Sequence, residues 1–387
     1  MSNKFDYKTF ASKGFPMPLL TKLTLVMFFW ILLFFFLREF RNILYPLCLG
    51  ILFAYLLYPV ASFFEKRRFP RILANILSII LGLTVIYGTF FFIYKQVSLF
   101  LEDLPALEQQ ALRNLVTALN YVEGAWNLQI ESEELWIKLR AKELINTFGQ
   151  NINQYLSYTT NTIFVIGIMP VYVFFFLYYR NKFKAFILKL TPPKYHQMAD
   201  ETISDISHVT RRYMFGVFTV VLILCFINSM GLYIVGIRYA ILFGVIAAIC
   251  NFIPYFGTIF GYLFPFTLSL LIMDSPKYSL GVVVVFIIVQ FTENNILTPN
   301  IVGGQMRINP FIIILSVLLG GYVWGVPGMF IIVPVVGMIK IVCQHTPSLR
   351  PWSYLISDSG TEEHALTLTK IQRFFKVNKK EEEEQEI

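Results

Sequence analysis

Two uncharged stretches in the C-terminal half of the chain set the terms for its fold. Residues 239–273 run for 35 positions, and residues 308–339 for 32, without an Asp, Glu, Lys or Arg. Straight helices of those lengths would reach roughly 52 and 48 Å, against a hydrocarbon core about 30 Å thick. Tilt does not absorb so large an excess. Both stretches also carry breakers near the middle. The first holds Asn251-Phe252-Ile253-Pro254-Tyr255-Phe256-Gly257; the second holds Gly320-Gly321 and Gly325-Val326-Pro327-Gly328. Proline lacks an amide donor and clashes with the preceding turn, and glycine makes a break easy. Two broken or re-entrant helices are therefore expected. In lipid, an interrupted backbone persists only when buried in protein or lining a wet cavity. Transporters place substrate and ion sites at such breaks. A proline kink that merely shapes packing is the alternative; two breaks flanking a polar segment favour a site.

The rest of the chain fits the same environment. Only 14% of the 387 residues are charged, against about 25% in a soluble chain. Uncharged or nearly uncharged runs fall at 23–37, 43–64, 72–94, 163–179, 213–237, 239–273, 278–292 and 308–339, eight units in all. The expected class is an all-α polytopic membrane protein with about eight transmembrane helices, the first of them at 23–37 rather than a cleavable signal. The divisions expected are 1–95 for the first three helices, 96–157 for a soluble helical insertion, 158–345 for a transport region and 346–387 for a tail.

Loop charge gives an orientation. Glu65-Lys66-Arg67-Arg68 with Arg71 follows the second run, and Arg180, Lys182, Lys184, Lys189, Lys194, Arg211 and Arg212 lie between the fourth and fifth. Both loops read as cytoplasmic, with N- and C-termini inside. The net charge of +8 is accounted for by these anchors, so no nucleic-acid partner is expected. Residues 96–157 carry four basic and eight acidic residues, which suits the outside. Leu104, Leu107, Leu112, Leu115 and Leu119, then Leu135, Leu139, Ile145, Phe148 and Ile152, predict two amphipathic helices there, divided near residues 124–127. A short amphipathic helix is expected at 366–377. The four cysteines and four histidines show neither metal-ligand nor redox spacing, so no metal or cofactor is expected.

Chemistry concentrates between the two long stretches. Glu293 follows the apolar run Gly281–Val289 with no intervening charge and stands beside Gln290, Asn294 and Asn295, ahead of Pro299 and Gly303. An intramembrane carboxylate is costly unless paired, protonated or facing water. Gln290, Glu293 and Asn294 share one face of a helix at i, i+3, i+4. Their oxygens suit a cation, a proton or a hydroxylated solute. The competing reading pairs Glu293 with Arg307 for structure alone. Asn251 and Tyr255 at the first break join the candidate ligands; Asn228 and Ser229 read as inter-helix hydrogen-bonding groups. No nucleotide-binding loop, nucleophile elbow or paired metal histidines are present, which argues against ATP-driven transport within this chain and against a membrane hydrolase.

These motifs together resemble the autoinducer-2 exporter family, also called PerM-like permeases. The residues that carry the resemblance are Asn251-Phe252-Ile253-Pro254-Tyr255-Phe256-Gly257 with Pro265, then Asn295 to Gly303 with Pro299. Asn309-Pro310 and Gly320-Gly321-Tyr322-Val323-Trp324-Gly325-Val326-Pro327-Gly328 with Pro334 complete it, and Pro70-Arg71-Ile72-Leu73-Ala74 matches the start of the family's third helix. Two positions depart from the pattern: Pro310-Phe311-Ile312 replaces a Pro-His-Leu-like step, and Trp324-Gly325 replaces Phe-Gly. The resemblance implies a bacterial inner-membrane secondary transporter. Its substrate would be a small polar solute or signal of the autoinducer-2 kind, or sodium and protons in antiport. It also implies homo-oligomers, pentamers among them, and an elevator-like movement. The motifs concern the scaffold, so the substrate stays open, as does H⁺ or Na⁺ as coupling ion. A non-transporting membrane scaffold and a passive channel are the competing functions.

Overall fold

The computed structural model describes residues 18–126, 159–254, 256–273, 275–302 and 306–358. These residues are all helix and connection, with one isolated bridge, Ile308 to Ser357. Helix α1 (Leu19–Glu39) meets α2 (Arg41–Lys66) at Phe40, and α3 spans Arg71–Trp126. Then come α4 (Thr159–Tyr178), α5 (Arg180–Leu190) and α6 (His196–Val235). The hairpin α7 (Ala240–Cys250) and α8 (Phe256–Ile272) follows, then α9 (Pro276–Thr292) with a π-helical continuation at Glu293–Val302. The last elements are α10 (Pro310–Trp324), α11 (Val326–His345) and the short α12 (Arg350–Ile356). Six helical segments among the described residues are long and apolar enough to cross a membrane, and four shorter apolar helices accompany them. The expected all-α polytopic membrane class is what the chain adopts.

Both long uncharged stretches break, as their breakers predict. The first ends α7 at Cys250, turns through Asn251–Pro254 and resumes at Phe256. Its two arms are antiparallel: Phe243 stacks on Phe264 at 6.3 Å, and a Cβ on Gly261 would lie 2.7 Å from the Ala247 Cα. The second breaks at Gly325, whose φ of 65° and ψ of −146° an L side chain rarely adopts. Gly320 and Gly321 lie inside α10, and Gly328 inside α11. They let these arms meet backbone to backbone: a Cβ on Gly328 would sit 2.0 Å from the Gly320 carbonyl oxygen. Pro310 occupies the first position of α10, where its missing amide costs nothing, behind an Asn309 side chain that accepts from Phe311 N at 3.0 Å.

Helix α6 is the hub. Its 40 residues reach about 60 Å. Tyr213 and Met214 pack with Leu52 of α2 and Val317, Ile331 and Val333 of the second hairpin. Val220, Val221 and Leu224 pack with Ala248 of α7 and Val289 of α9. Leu232 packs with Phe100 and Leu107 of α3, Phe243 of α7 and Val282 of α9. The helix ends in a left-handed Gly236 (φ 91°), with Ile237 N donating to Leu232 O at 3.0 Å.

The 56 residues of α3 make one helix of about 84 Å, so the third apolar run and the first leucine-spaced stretch beyond it are continuous. Its distal part holds both feet of the first hairpin. Tyr239 Oη donates to Asp103 Oδ2 at 2.6 Å, and Asp103 pairs with Arg238 at 2.8 Å. Asn114 Nδ2 donates to the carbonyls of Leu271 and Met273 at 3.0 and 3.3 Å. The second amphipathic stretch expected at 135–152 and the short tail helix at 366–377 lie outside the described residues.

Candidate transport site

The first hairpin has both feet at one end of the bundle, so its tip points into the apolar layer. The 11 residues of α7 reach about 16 Å, about half the hydrocarbon thickness. Helix α9 starts beside the same feet, capped by Ser275, with Pro276 at its first position. Seventeen residues later, about 25 Å along, it arrives at Glu293. The tip and the carboxylate meet at this depth: Asn251 Nδ2 donates to Glu293 Oε1. A second polar bond ties the hairpin to α6, with Tyr262 Oη donating to the buried Asn228 Oδ1. The Tyr262 ring lies 4.6 Å from that of Phe286 on α9. Phe252 meets Phe330 of α11 edge to face at 5.6 Å. The hairpin tip therefore touches α6, α9 and α11 at once.

At Glu293 the α-helix changes to π-helix, which widens the turn and continues through Pro299 to Val302. Such widened turns are frequent at functional sites. Two members of the predicted polar face remain neighbours across the change. Gln290 Nε2 donates to Asn294 Oδ1 at 3.0 Å, so these two amides satisfy each other beside Glu293. Asn294 and Asn295 are exposed, and Asn295 Nδ2 returns to the Phe291 carbonyl at 2.9 Å. Glu293, half-buried, turns to Asn251. Tyr255 and Gly303 lie outside the described residues.

No ion pair joins Glu293 to Arg307 among the described residues. Arg307 is engaged through its backbone, which has a φ of 28°. Its carbonyl accepts from Lys340 Nζ at 2.8 Å and from Asp358 N at 3.1 Å. Lys340 also reaches the Met306 carbonyl at 2.9 Å. Arg307 thus belongs to a strap between α9 and α10 that α11 and the segment after α12 hold in place. Gly257 sits behind the tip against the Cys250 carbonyl. Pro254 ends the turn after α7.

Sequence reasoning singled out Asn228 as an inter-helix group and missed its partner Tyr262. It also missed Asp103, Arg238 and Tyr239, whose only signal was a charged residue on each side of a hairpin foot.

Comparison with known proteins gives one consistent result. The sequence model of the AI-2E family transporter matches residues 23–348. YrrI of Bacillus subtilis (strain 168), named as a candidate transport protein, is 27% identical over 324 residues, covering 80% of this chain and 88% of the relative. YueF of the same organism, named likewise, is 26% identical over 314 residues, 77% and 83% of the two chains. TqsA of Escherichia coli (strain K12), named an AI-2 transport protein, is 21% identical over 332 residues, 83% and 91% of the two.

Proposed function

The chain belongs to the AI-2E family of transporters, and we propose that within it Glu293 binds the coupling cation, a proton or Na⁺, that drives a small polar solute of the autoinducer-2 kind across a bacterial inner membrane. One observation carries this reading: the carboxylate is hydrogen-bonded by Asn251 at the tip of a hairpin that ends part-way through the apolar layer. An ionised Glu293 makes a charge-assisted bond to the Asn251 amide, about twice as strong as a neutral one. Protonation or Na⁺ binding neutralises the acceptor and weakens the attachment of the hairpin to α9. The hairpin is then free to take a second position, and ion occupancy selects between two arrangements of one polar site. Gln290 and Asn294 supply amide groups beside the carboxylate for a hydroxylated solute. The orientation in this reading has both termini in the cytoplasm, supported by the basic loops at 65–71 and 180–212.

Glu293→Gln tests it. The amide keeps the shape and leaves an oxygen for Asn251 to donate to, so membrane yield and oligomer profile should match wild type. In proteoliposomes, flux of H⁺ or Na⁺ and of a small polyhydroxylated solute should fall at least tenfold and lose its pH dependence. Wild-type flux across the whole pH range would remove Glu293 from the mechanism.

A further inference from the structure

Far from Glu293, where α2 ends, α3 begins and α4 passes into α5, the side chains are charged and incompletely paired. Glu65 accepts from Arg180 Nη2 at 2.5 Å and stands 4.0 Å from Arg71 Nε, beyond hydrogen-bonding distance. Arg71 uses Nη2 on the Leu177 carbonyl at 3.1 Å. Seven buried side-chain polar atoms among the described residues lack a hydrogen-bond partner. Five of them belong to this corner: Glu65 Oε1, Arg71 Nε, Arg180 Nη1 and both amide atoms of the fully buried Asn75, one turn along α3 from Arg71. Buried polar atoms are almost always satisfied, so such a concentration calls for an explanation.

The same corner opens into a cavity of about 470 Å³ walled by Arg71, Tyr178, Tyr179, Asn181 and Lys182. Glu65 is the one carboxylate set against Arg180 and Arg71, and Lys182 adds a third positive charge on the cavity wall, which leaves an excess of two. Arg71 lies 5.9 Å from the Tyr178 ring centre and Lys182 5.4 Å from that of Tyr179. These contacts hold both cations beside the cavity. The level is also informative. α3 begins at Arg71 and α4 ends at Tyr178, so the cavity lies where membrane helices emerge, the depth of lipid headgroups and of interfacial tyrosines. Excess positive charge, leftover guanidinium donors and a neighbouring amide match the oxygens of a phosphate.

We propose that this cavity binds a phosphate group, carried by an anionic lipid headgroup or by a soluble phosphate. Binding is read as thermal protection of the detergent-purified full chain, titrated separately with dioctanoyl phosphatidylglycerol, dioctanoyl phosphatidylcholine and inorganic phosphate. Saturable protection by phosphatidylglycerol beyond that by phosphatidylcholine, with none from inorganic phosphate, assigns a lipid. Protection by inorganic phosphate at comparable concentration assigns a soluble anion. Lys182 is exposed, so its replacement leaves the fold intact. A basic side chain near an anionic headgroup contributes about 1 kcal/mol, or about fivefold in affinity. Lys182→Gln should raise the half-saturating concentration about fivefold, and Lys182→Glu about thirtyfold. Lys277→Glu, at the start of α9 beside the hairpin feet, should change nothing. Equal protection by the two lipids with none from phosphate overturns the proposal, as does a half-saturation that Lys182→Glu leaves unmoved.

Discussion

Gly257→Ala strikes the hairpin tip without altering any polar side chain of the candidate site. A Cβ on Gly257 would lie 1.9 Å from the Cys250 carbonyl oxygen, 2.2 Å from its carbon and 2.5 Å from Asn251 N. All three are backbone atoms, so no rotamer change relieves the clash. Real Cβ contacts essentially never fall below 3.0 Å, and the carbonyl must retreat by about 1 Å. That movement drags Asn251, the next residue, off Glu293. Overpacking of this kind costs about 1–3 kcal/mol. The middle of that range is a ~30-fold shift against the native hairpin. Gly88→Ala in α3 is the matched control, because nothing lies within 4 Å of its Cβ and alanine favours a helix by about 1 kcal/mol. Thermal unfolding in detergent should show Gly257→Ala melting below wild type and Gly88→Ala at or above it. Solute flux should fall at least tenfold in the first variant and hold in the second. If Gly257→Ala melts and transports like wild type, the tip geometry does not position Asn251 and the argument fails.

Burial, then the bond to Asp103, pushes the Tyr239 hydroxyl up to about 12. A raised folded-state value means its contribution to stability is complete below about pH 10 and disappears as pH climbs through about 12. The stability difference between wild type and Tyr239→Phe, followed against pH, should be constant up to about pH 10 and then close; a difference that stays flat to high pH refutes it. Trp324 Nε1 donates to the Leu37 carbonyl at 2.9 Å and joins the tip of the second hairpin to α1. Trp324→Phe should lower stability by about 1 kcal/mol in denaturant titration, and an unchanged midpoint would deny the bond any role. On a cysteine-free background, a cysteine at Glu131 should react only with reagent on the periplasmic side; cytoplasmic labelling would reverse the proposed orientation.

The two breaks were legible because their signal is local. Pro254 and Gly325 act on their own backbone, and uncharged length in excess of the bilayer says how much helix must be divided. The partners across the breaks were not legible. Asn251 and Glu293 are 42 positions apart, and nothing in either segment states that a hairpin tip will lie against α9. The predicted face of Gln290, Glu293 and Asn294 assumed an α-helical period. In the structure the first and third are bonded to each other at i, i+4, as that period implies, while the second is bonded to Asn251 where the π-helix begins. Pro299 in an otherwise helical run was the only hint of it. Gly320, Gly321 and Gly328 attracted notice as breakers, yet two lie within α10 and one within α11. Their use is the close approach of two antiparallel backbones, which a sequence writes with the same letter as a break.

The character of the contacts around the first hairpin indicates which joint can open. Within the hairpin, Gly257 and Gly261 abut backbone atoms of the opposite arm, and between α7 and α6 a Cβ on Gly244 would fall 2.4 Å from Ser229 N. Backbone-to-backbone seams of this kind do not slide without breaking their fit, so α6, α7 and α8 move together or not at all. Against α9 the seam is different. Gly231 and Gly281 there face valine methyls of Val285 and Val235; the polar attachments are a Ser269–Ser279 hydroxyl bond at 3.1 Å near the feet and, at the tip, the bond from Asn251 to a single carboxylate. Apolar methyls exchange neighbours at small cost, whereas a charge-assisted bond is costlier to part while the charge remains. On the proposed reading, a gate on this seam is held chiefly by the ionisation of Glu293, as an ion-coupled carrier requires and a permanently open channel does not.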